Sequence, residues 1–297
     1  MRVDPFYVVN LSSALDQTQA TQEQLSQELS SGLRVTSIGK DPVAAAQNVQ
    51  LLNSIQQDDS FTQTTSLTQG LLQVTDSTLG SVVDQLNTAL SLADQANNGT
   101  LNASDLKAIS NQIAGVRDEV LSLANTNYQG QYLFGGSLTG GPPFTLNSAT
   151  SPATVTYNGD SDVNSLQSPT GQAIQLNLPG NQVFTAAAAN VLGTLNNLVA
   201  DYASGTAGSG VADTATLNTA LNYVSQQRVT IDNSLTRLND ASSAATEQAT
   251  QLTAVQTNLM QADIPAVSTQ LALVQSQQSA LISVIAALGQ GSLFDKL

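Results

Sequence analysis

The chain holds no histidine and no cysteine. That removes the commonest general base, the commonest nitrogen ligand for metals and all thiolate chemistry. A Ser-His-Asp relay and a histidine zinc site are excluded outright. What could still do chemistry is a handful of carboxylates, glycines and aromatics. Asp58-Asp59 could be an acid pair, but neighbours on a helix face different directions, so a solvated face is the expectation. Asp160-Ser161-Asp162 could hold calcium weakly, yet it lacks the further ligands of a loop site, and turn chemistry after Asn158-Gly159 accounts for it. Gly135-Gly136 and Gly140-Gly141 run into Pro142-Pro143 rather than a helix, which is no phosphate cradle. Tyr128, Tyr132 and Phe134 could stack a ligand, and packing at the base of a β-rich segment is the better expectation. No catalytic, cofactor-binding or metal-ligating residue is assigned.

Composition points the same way. Of the 297 residues, 41% are hydrophobic but only 4% aromatic, too few to fill a thick globular interior. Charged residues make up 10%, against roughly 25% in ordinary soluble domains. With little charge to repel, like subunits pack densely with less penalty. The net charge of −14 with eight basic residues argues against nucleic acid and against anionic membrane surfaces. The N-terminus lacks the apolar run of a secretory signal, and no stretch approaches the ~20 apolar residues of a spanning helix. By that rule the chain is cytoplasmic, unless it leaves by a route that reads no cleaved signal.

The elements that organise the chain are its two ends. Val267, Leu271, Val274, Leu281, Ile285 and Leu288 recur in steps of four and three, interrupted at Gln278. Val8, Leu11, Leu15, Leu25 and Leu29 carry the matching pattern, with Thr18 and Gln22 between them. Both are helices built to pack lengthwise. The polar exceptions either set register, as buried polar seam residues do in coiled coils, or face solvent where packing is loose. Leu273, Ile282 and Val284 lie off the seam and offer a second face.

Between the ends, Asp4-Pro5 opens a helix running to Ser31, closed by Gly32. Asp41-Pro42 opens a second, reaching about Ala96 and roughly 80 Å long at ~1.5 Å per residue. Asn102 caps a third, whose stripe is Leu106, Ile109, Ile113, Val116, Val120 and Leu123. From about Tyr128 to Phe184 prolines, glycines and aromatics gather, Val155 and Tyr157 alternate with polar residues, and Asn158-Gly159 signals a type I′ hairpin. A short helix with Val191, Leu195, Leu198 and Tyr202 on one face follows, and then a glycine-rich run from Gly205 to Gly210. The heptad pattern resumes from Leu217 to Leu259, with Arg228 among its polar seam positions, and Asp263 and Pro265 mark a recap. The fold expected is mainly α: a long antiparallel helical rod formed by N- and C-terminal segments, with a small β-rich domain inserted at the far end. Its divisions are a terminal coiled-coil assembly domain (1–33 and 264–297), a helical rod domain (42–127 and 186–263) and an inserted outer domain (128–185).

Leu29-Ser30-Ser31-Gly32-Leu33-Arg34-Val35, followed by Asp41-Pro42-Val43-Ala44, resembles the N-terminal block of the bacterial flagellin superfamily, with Ser31, Gly32, Arg34, Asp41 and Pro42 as the motif residues. Within it, Asn127-Tyr128-Gln129-Gly130-Gln131-Tyr132-Leu133-Phe134-Gly135-Gly136, Val155-Thr156-Tyr157-Asn158-Gly159-Asp160 and the ending Ser292-Leu293-Phe294-Asp295-Lys296-Leu297 are similar to the hook–filament junction (hook-associated protein 3) family. The resemblance implies a structural, non-enzymatic flagellar role without cofactor. It also implies an extracellular place reached by the flagellar type III pathway without a cleaved signal. The partners it implies are copies of the chain itself, hook-associated protein 1, flagellin and a flagellar export chaperone, with no nucleic acid and no membrane insertion. Filament flagellin is the nearest rival, and a secreted helical effector or translocator the rival from another class. On either flagellar reading the seam residues are the assembly surface.

Overall fold

A computed structural model describes residues 5–294 apart from 188 and 207, with the backbone alone at residues 5, 7, 8 and 288–294. The helices in chain order are α1 (Pro5–Ser31), α2 (Pro42–Asn97), α3 (Ala103–Ala124), α4 (Val191–Ala203), α5 (Val211–Met260) and α6 (Ile264–Phe294). Between α3 and α4 lie β1 (Asn127–Tyr128), β2 (Gln131–Tyr132), β3 (Phe144–Asn147), β4 (Thr154–Tyr157), β5 (Ser165–Gln167) and β6 (Ala173–Gln175). The fold is mainly α with small antiparallel strand pairs, as its periodicity predicts. Two compact units divide inside α2 and α5 rather than at loops. One holds the described residues up to Gln57 together with those from Glu247 onward, and the other is Asp58–Thr246.

The larger unit has the continuous core. Leu72, Leu79, Val82 and Leu86 of α2, Leu106, Ile109, Ile113, Val116 and Val120 of α3 and Leu217, Val224, Ile231 and Leu238 of α5 are buried together, with Leu123 of the α3 stripe half-buried against them. Hydrogen bonds join Asn97 to Thr214, Asp76 to Arg228 and Gln69 to Asn239, so numbers rise on α2 as they fall on α5 and the helices are antiparallel. Asn102 caps α3 by accepting from the Ser104 and Asp105 N–H groups, and the Asp105 carboxylate accepts from the Asn102 N–H in return. All four expected apolar residues of α4 are fully buried, and the Ser110 hydroxyl of α3 donates to the Val199 carbonyl at 2.7 Å.

The β-rich segment differs from expectation in its pairing. It is three separate two-stranded hairpins, β1–β2, β3–β4 and β5–β6. Asn158-Gly159 joins no hairpin. It ends β4 and turns the chain back, with the Asp160 N–H donating to the Gly135 carbonyl at 3.1 Å. Gly159 serves close approach instead, because a Cβ there would collide with the Tyr157 phenol and the Gly135 carbonyl. The tight turn that does need positive φ is Gln129-Gly130 (φ 51° and 85°) between β1 and β2. Phe134, Phe144, Tyr157 and Phe184 stack at 5.0–5.4 Å between ring centres and fill the base of this segment.

Candidate assembly surface

The smaller unit is organised around the end of α1. Gly32 adopts φ +69°, the left-handed cap of α1, and its N–H donates to the Glu28 carbonyl at 2.8 Å. This turn lays Gly32 to Arg34 antiparallel to Met260 to Ala262. The Ala262 N–H donates to the Gly32 carbonyl at 2.9 Å, and the Arg34 N–H donates to Met260 at 2.7 Å. The Arg34 guanidinium then reaches the Leu259 carbonyl at 3.0 Å and the Asp41 carboxylate at 3.1 Å. Asp41 is also the N-cap of α2, accepting from the Ala44 N–H at 3.0 Å, with Pro42 at the first helical position. The Ala44 N–H and then Arg34 hold its carboxyl below the usual carboxylate range. Ser31 donates back to the Gln27 carbonyl and accepts from the Leu33 N–H. The five motif residues are thus brought together where α1 ends, α2 begins and α5 ends, and each carries a backbone task.

The seam residues fall into three groups. Leu25 and Val267 are buried with Ala262, and Leu271 and Val274 pack on them. Leu11, Leu15, Leu281 and Ile285 are half-buried on their helices. Leu29 differs from expectation, being 38% exposed. The inward place belongs to Glu28, whose carboxylate accepts from the Gln24 amide at 2.9 Å and pairs with Lys40 at 3.5 Å. At 3.6 residues per turn, steps of three and of four from Leu25 straddle the stripe, and the ion pair takes one side. The side chains of Val8 and Leu288 lie outside the described residues. Thr18 and Gln22 are half-buried, as is Gln278.

Little of this unit's apolar surface is used internally. Leu273, Ile282 and Val284 of α6 stand 59%, 51% and 41% exposed, and Val9, Ile38, Val43, Val49 and Val255 are more than half exposed. The larger unit buries most of its apolar stripes, although Leu67, Val211 and Val229 stand 69%, 55% and 56% exposed, so the smaller unit is the one with more apolar surface to spare.

The other chemical candidates resolve into structure. Asp160 accepts from the Ser137 N–H at 2.7 Å, from its hydroxyl, and from the Asp162 N–H, and these bonds lower its pKa. Gly136 (φ +74°) leaves the room that Asp160 occupies. Tyr128 lies over Gly70, and Phe134 is buried. Asp58 corrects the solvated-face expectation: it is 1% exposed, one of its oxygens has no hydrogen-bond partner, and burial followed by Asp59 raises its pKa. Its spacing with Phe61, Thr65 and Leu72, all buried, was the available signal. Among the described residues no group of three His, Cys, Asp or Glu could hold a metal ion, and no helix is long and apolar enough to cross a membrane.

A helical protein whose two ends pair, with an apolar face left over, is the class defined so far. Comparison with known proteins narrows it. Residues 7–139 match the N-terminal helical region of bacterial flagellin. The chain is 28% identical over 181 residues to flagellar hook-associated protein 3 of Salmonella typhimurium and 27% identical over 176 residues to that of Escherichia coli. These matches cover 61% and 59% of this chain, and span 55% and 54%, about half, of the relatives. In fold it is similar to a putative flagellar hook-associated protein from Vibrio parahaemolyticus (TM-score 0.65, 19% identity, 75% of this chain and 100% of that one). It is similar likewise to hook-associated protein 3 from Legionella pneumophila (TM-score 0.61, 16% identity, 71% and 98%). Residues 7–139 are thus similar to the bacterial flagellin N-terminal region, and the chain as a whole is similar to flagellar hook-associated protein 3.

Proposed function

We propose that the chain is a structural component of the bacterial flagellum, a hook-associated junction protein that links hook to filament by helix-mediated self-assembly. One observation carries the reading: α1 and α6 pair through a thin core of Leu25, Ala262 and Val267 while Leu273, Ile282 and Val284 stay exposed. A pair with so little burial of its own is completed by neighbours on its other faces. The terminal segments, 1–33 and 264–297, are then the assembling part. Partners on this reading are further copies, hook-associated protein 1, flagellin, and an export chaperone before secretion through the flagellar pathway to the cell exterior. The similarity of residues 7–139 to the flagellin N-terminal region and the 27–28% identity to hook-associated protein 3, over about half the length of those relatives, support the reading.

Electron microscopy of a strain lacking the gene tests it. Hooks without filaments, with flagellin lost to the medium, are expected. Filaments that remain attached to motile cells would refute the reading. Purified chain that grew long homopolymers on sheared filament seeds would point to filament flagellin instead.

A further inference from the structure

The sequence holds two Asn-Gly steps, Asn98-Gly99 and Asn158-Gly159. At such a step the chain can cyclise on itself, because glycine has no Cβ to keep its nitrogen from the asparagine side-chain carbonyl carbon. The glycine N–H must also be free to give up its proton, and the backbone must have room to bend. The two steps differ in that room.

Asn98-Gly99 lies in the turn between α2 and α3, with both residues exposed and Gly99 at φ +70°. Nothing stands within 4 Å of where a Cβ on Gly99 would be. Among the described residues neither the Asn98 side chain nor the Gly99 N–H has a hydrogen-bond partner. Asn158-Gly159 is the opposite case. Its side-chain amide donates to the Thr145 hydroxyl at 3.4 Å and its N–H to the Pro143 carbonyl at 2.8 Å, while Gly159 is wedged against the Tyr157 phenol and the Gly135 carbonyl. Asn97, next to Asn98, is held too. Its amide donates to the Thr214 hydroxyl at 2.9 Å, its side-chain oxygen accepts from the Tyr202 hydroxyl at 3.1 Å, and the N–H that would attack it donates to the Gln95 carbonyl at 3.4 Å.

We infer that Asn98 is a site of spontaneous covalent modification, converting to aspartate and isoaspartate through a succinimide closed with Gly99. The Gly99 nitrogen attacks Cγ of Asn98, the bond from Cγ to the amide nitrogen breaks, and the proton given up by Gly99 leaves on ammonia. Water then adds to either ring carbonyl, opening the ring to an aspartyl or an isoaspartyl link. No oxidant, metal or enzyme is required.

The product places a carboxylate just beyond the C-terminal end of α2, four residues after the exposed Asp94. Both the negative end of the helix dipole and the like charge disfavour it there. The isoaspartyl link also adds a methylene to the main chain of the turn. Asn97, which ties α2 to Tyr202 of α4 and Thr214 of α5, is the adjoining residue, so the junction of these three helices loosens as the chain ages.

The purified full chain, incubated at mildly alkaline pH both folded and in denaturant, provides the test, with peptide mapping by mass spectrometry and enzymatic labelling of isoaspartate as readouts. In denaturant the two Asn-Gly steps should convert at similar rates. In the folded chain Asn98 should convert about tenfold faster than Asn158 or more, a ratio equivalent to about 1.4 kcal/mol of barrier. Equal rates in the folded chain would overturn the proposal, and so would a folded Asn98 that keeps its amide while the denatured chain loses it. Asn98→Gln retains the amide but must close a larger ring, and should leave no isoaspartate in this turn. The thermal midpoint of the aged parent should fall, and that of equally aged Asn98→Gln should not. A parent midpoint that holds while isoaspartate accumulates would overturn the loosening of the α2, α4 and α5 junction.

Discussion

Arg228 of α5 grips Asp76 of α2 with two parallel hydrogen bonds, Nε–H to Oδ1 at 2.9 Å and Nη2–H to Oδ2 at 3.1 Å. The polar seam position legible at Arg228 is therefore a two-pronged clasp between antiparallel helices. The guanidinium passes over Gly80, with its carbon 3.5 Å from where a Cβ on that residue would stand. Hydrogen bonding to Asp76 raises the pKa of Arg228. A planar fork makes both bonds at once, which an ammonium cannot.

Arg228→Lys should therefore behave almost like Arg228→Ala. Each is expected to cost about 1–2 kcal/mol, the lower part of the range for charge-assisted bonds because both partners remain partly exposed. Urea denaturation of the full chain measures this. A lysine variant as stable as the parent would show that the fork geometry contributes nothing.

Glycines should separate by what lies above them and by the backbone they hold. At Gly115 of α3 there is open space, and at Gly80 only ordinary contact with Arg228, so alanine at either site should stabilise by up to about 1 kcal/mol. Gly70 has the Tyr128 hydroxyl 3.1 Å from a built Cβ, and alanine there should gain less. Gly136→Ala should destabilise by at least about 2 kcal/mol, because φ is +74° and Asp160 occupies the space. Thermal midpoints should rank the four in that order.

Asp58→Asn should stabilise the chain at pH 7 by about 1–3 kcal/mol, since the carboxylate it replaces is buried with an unpartnered oxygen. The sign with pH follows from its raised folded pKa. Above that pKa the native state buries a charge that the unfolded chain solvates, and below the ordinary value of 3.8 both states are protonated. The advantage of asparagine should therefore shrink as pH falls and vanish below about 3.8. Denaturation curves of both proteins across pH 3–7 check it; a constant difference would contradict the burial of charge.

Leu281→Asp places a carboxylate on the half-buried seam of α6. Incorporation into flagella should be abolished, while the melting of the larger unit, Asp58–Thr246, stays within about 0.5 kcal/mol of the parent. Immunoblots of sheared flagella and calorimetry of the purified chain measure the two effects. A large loss in the main melting transition would mean that the tail serves monomer stability instead.

Much of the helical architecture was legible in the residues. Asp41-Pro42, Asn102 and Gly32 punctuate helices because capping is settled within one turn, and the structure places α1, α2 and α3 within a residue or so of those marks. The stripes of α3 and α4 were legible for a similar reason: a helix that buries one face repeats its apolar residues at the helical period whatever it packs against.

What the residues alone determined, then, is where helices begin and end, which face of each is greasy, and that histidine and thiol chemistry are absent. Tertiary structure decided which partner each position meets. Glu28 rather than Leu29 turns inward because Lys40 is folded within reach of it. Asn158-Gly159 forms no hairpin turn because Gly135 and Ser137 capture Asp160 from more than twenty residues away. Gly32 and Arg34 meet Met260 and Ala262 across more than two hundred residues of chain. Periodicity and capping are short-range properties of the backbone, whereas these choices depend on which distant groups compete for the same hydrogen bonds and the same space.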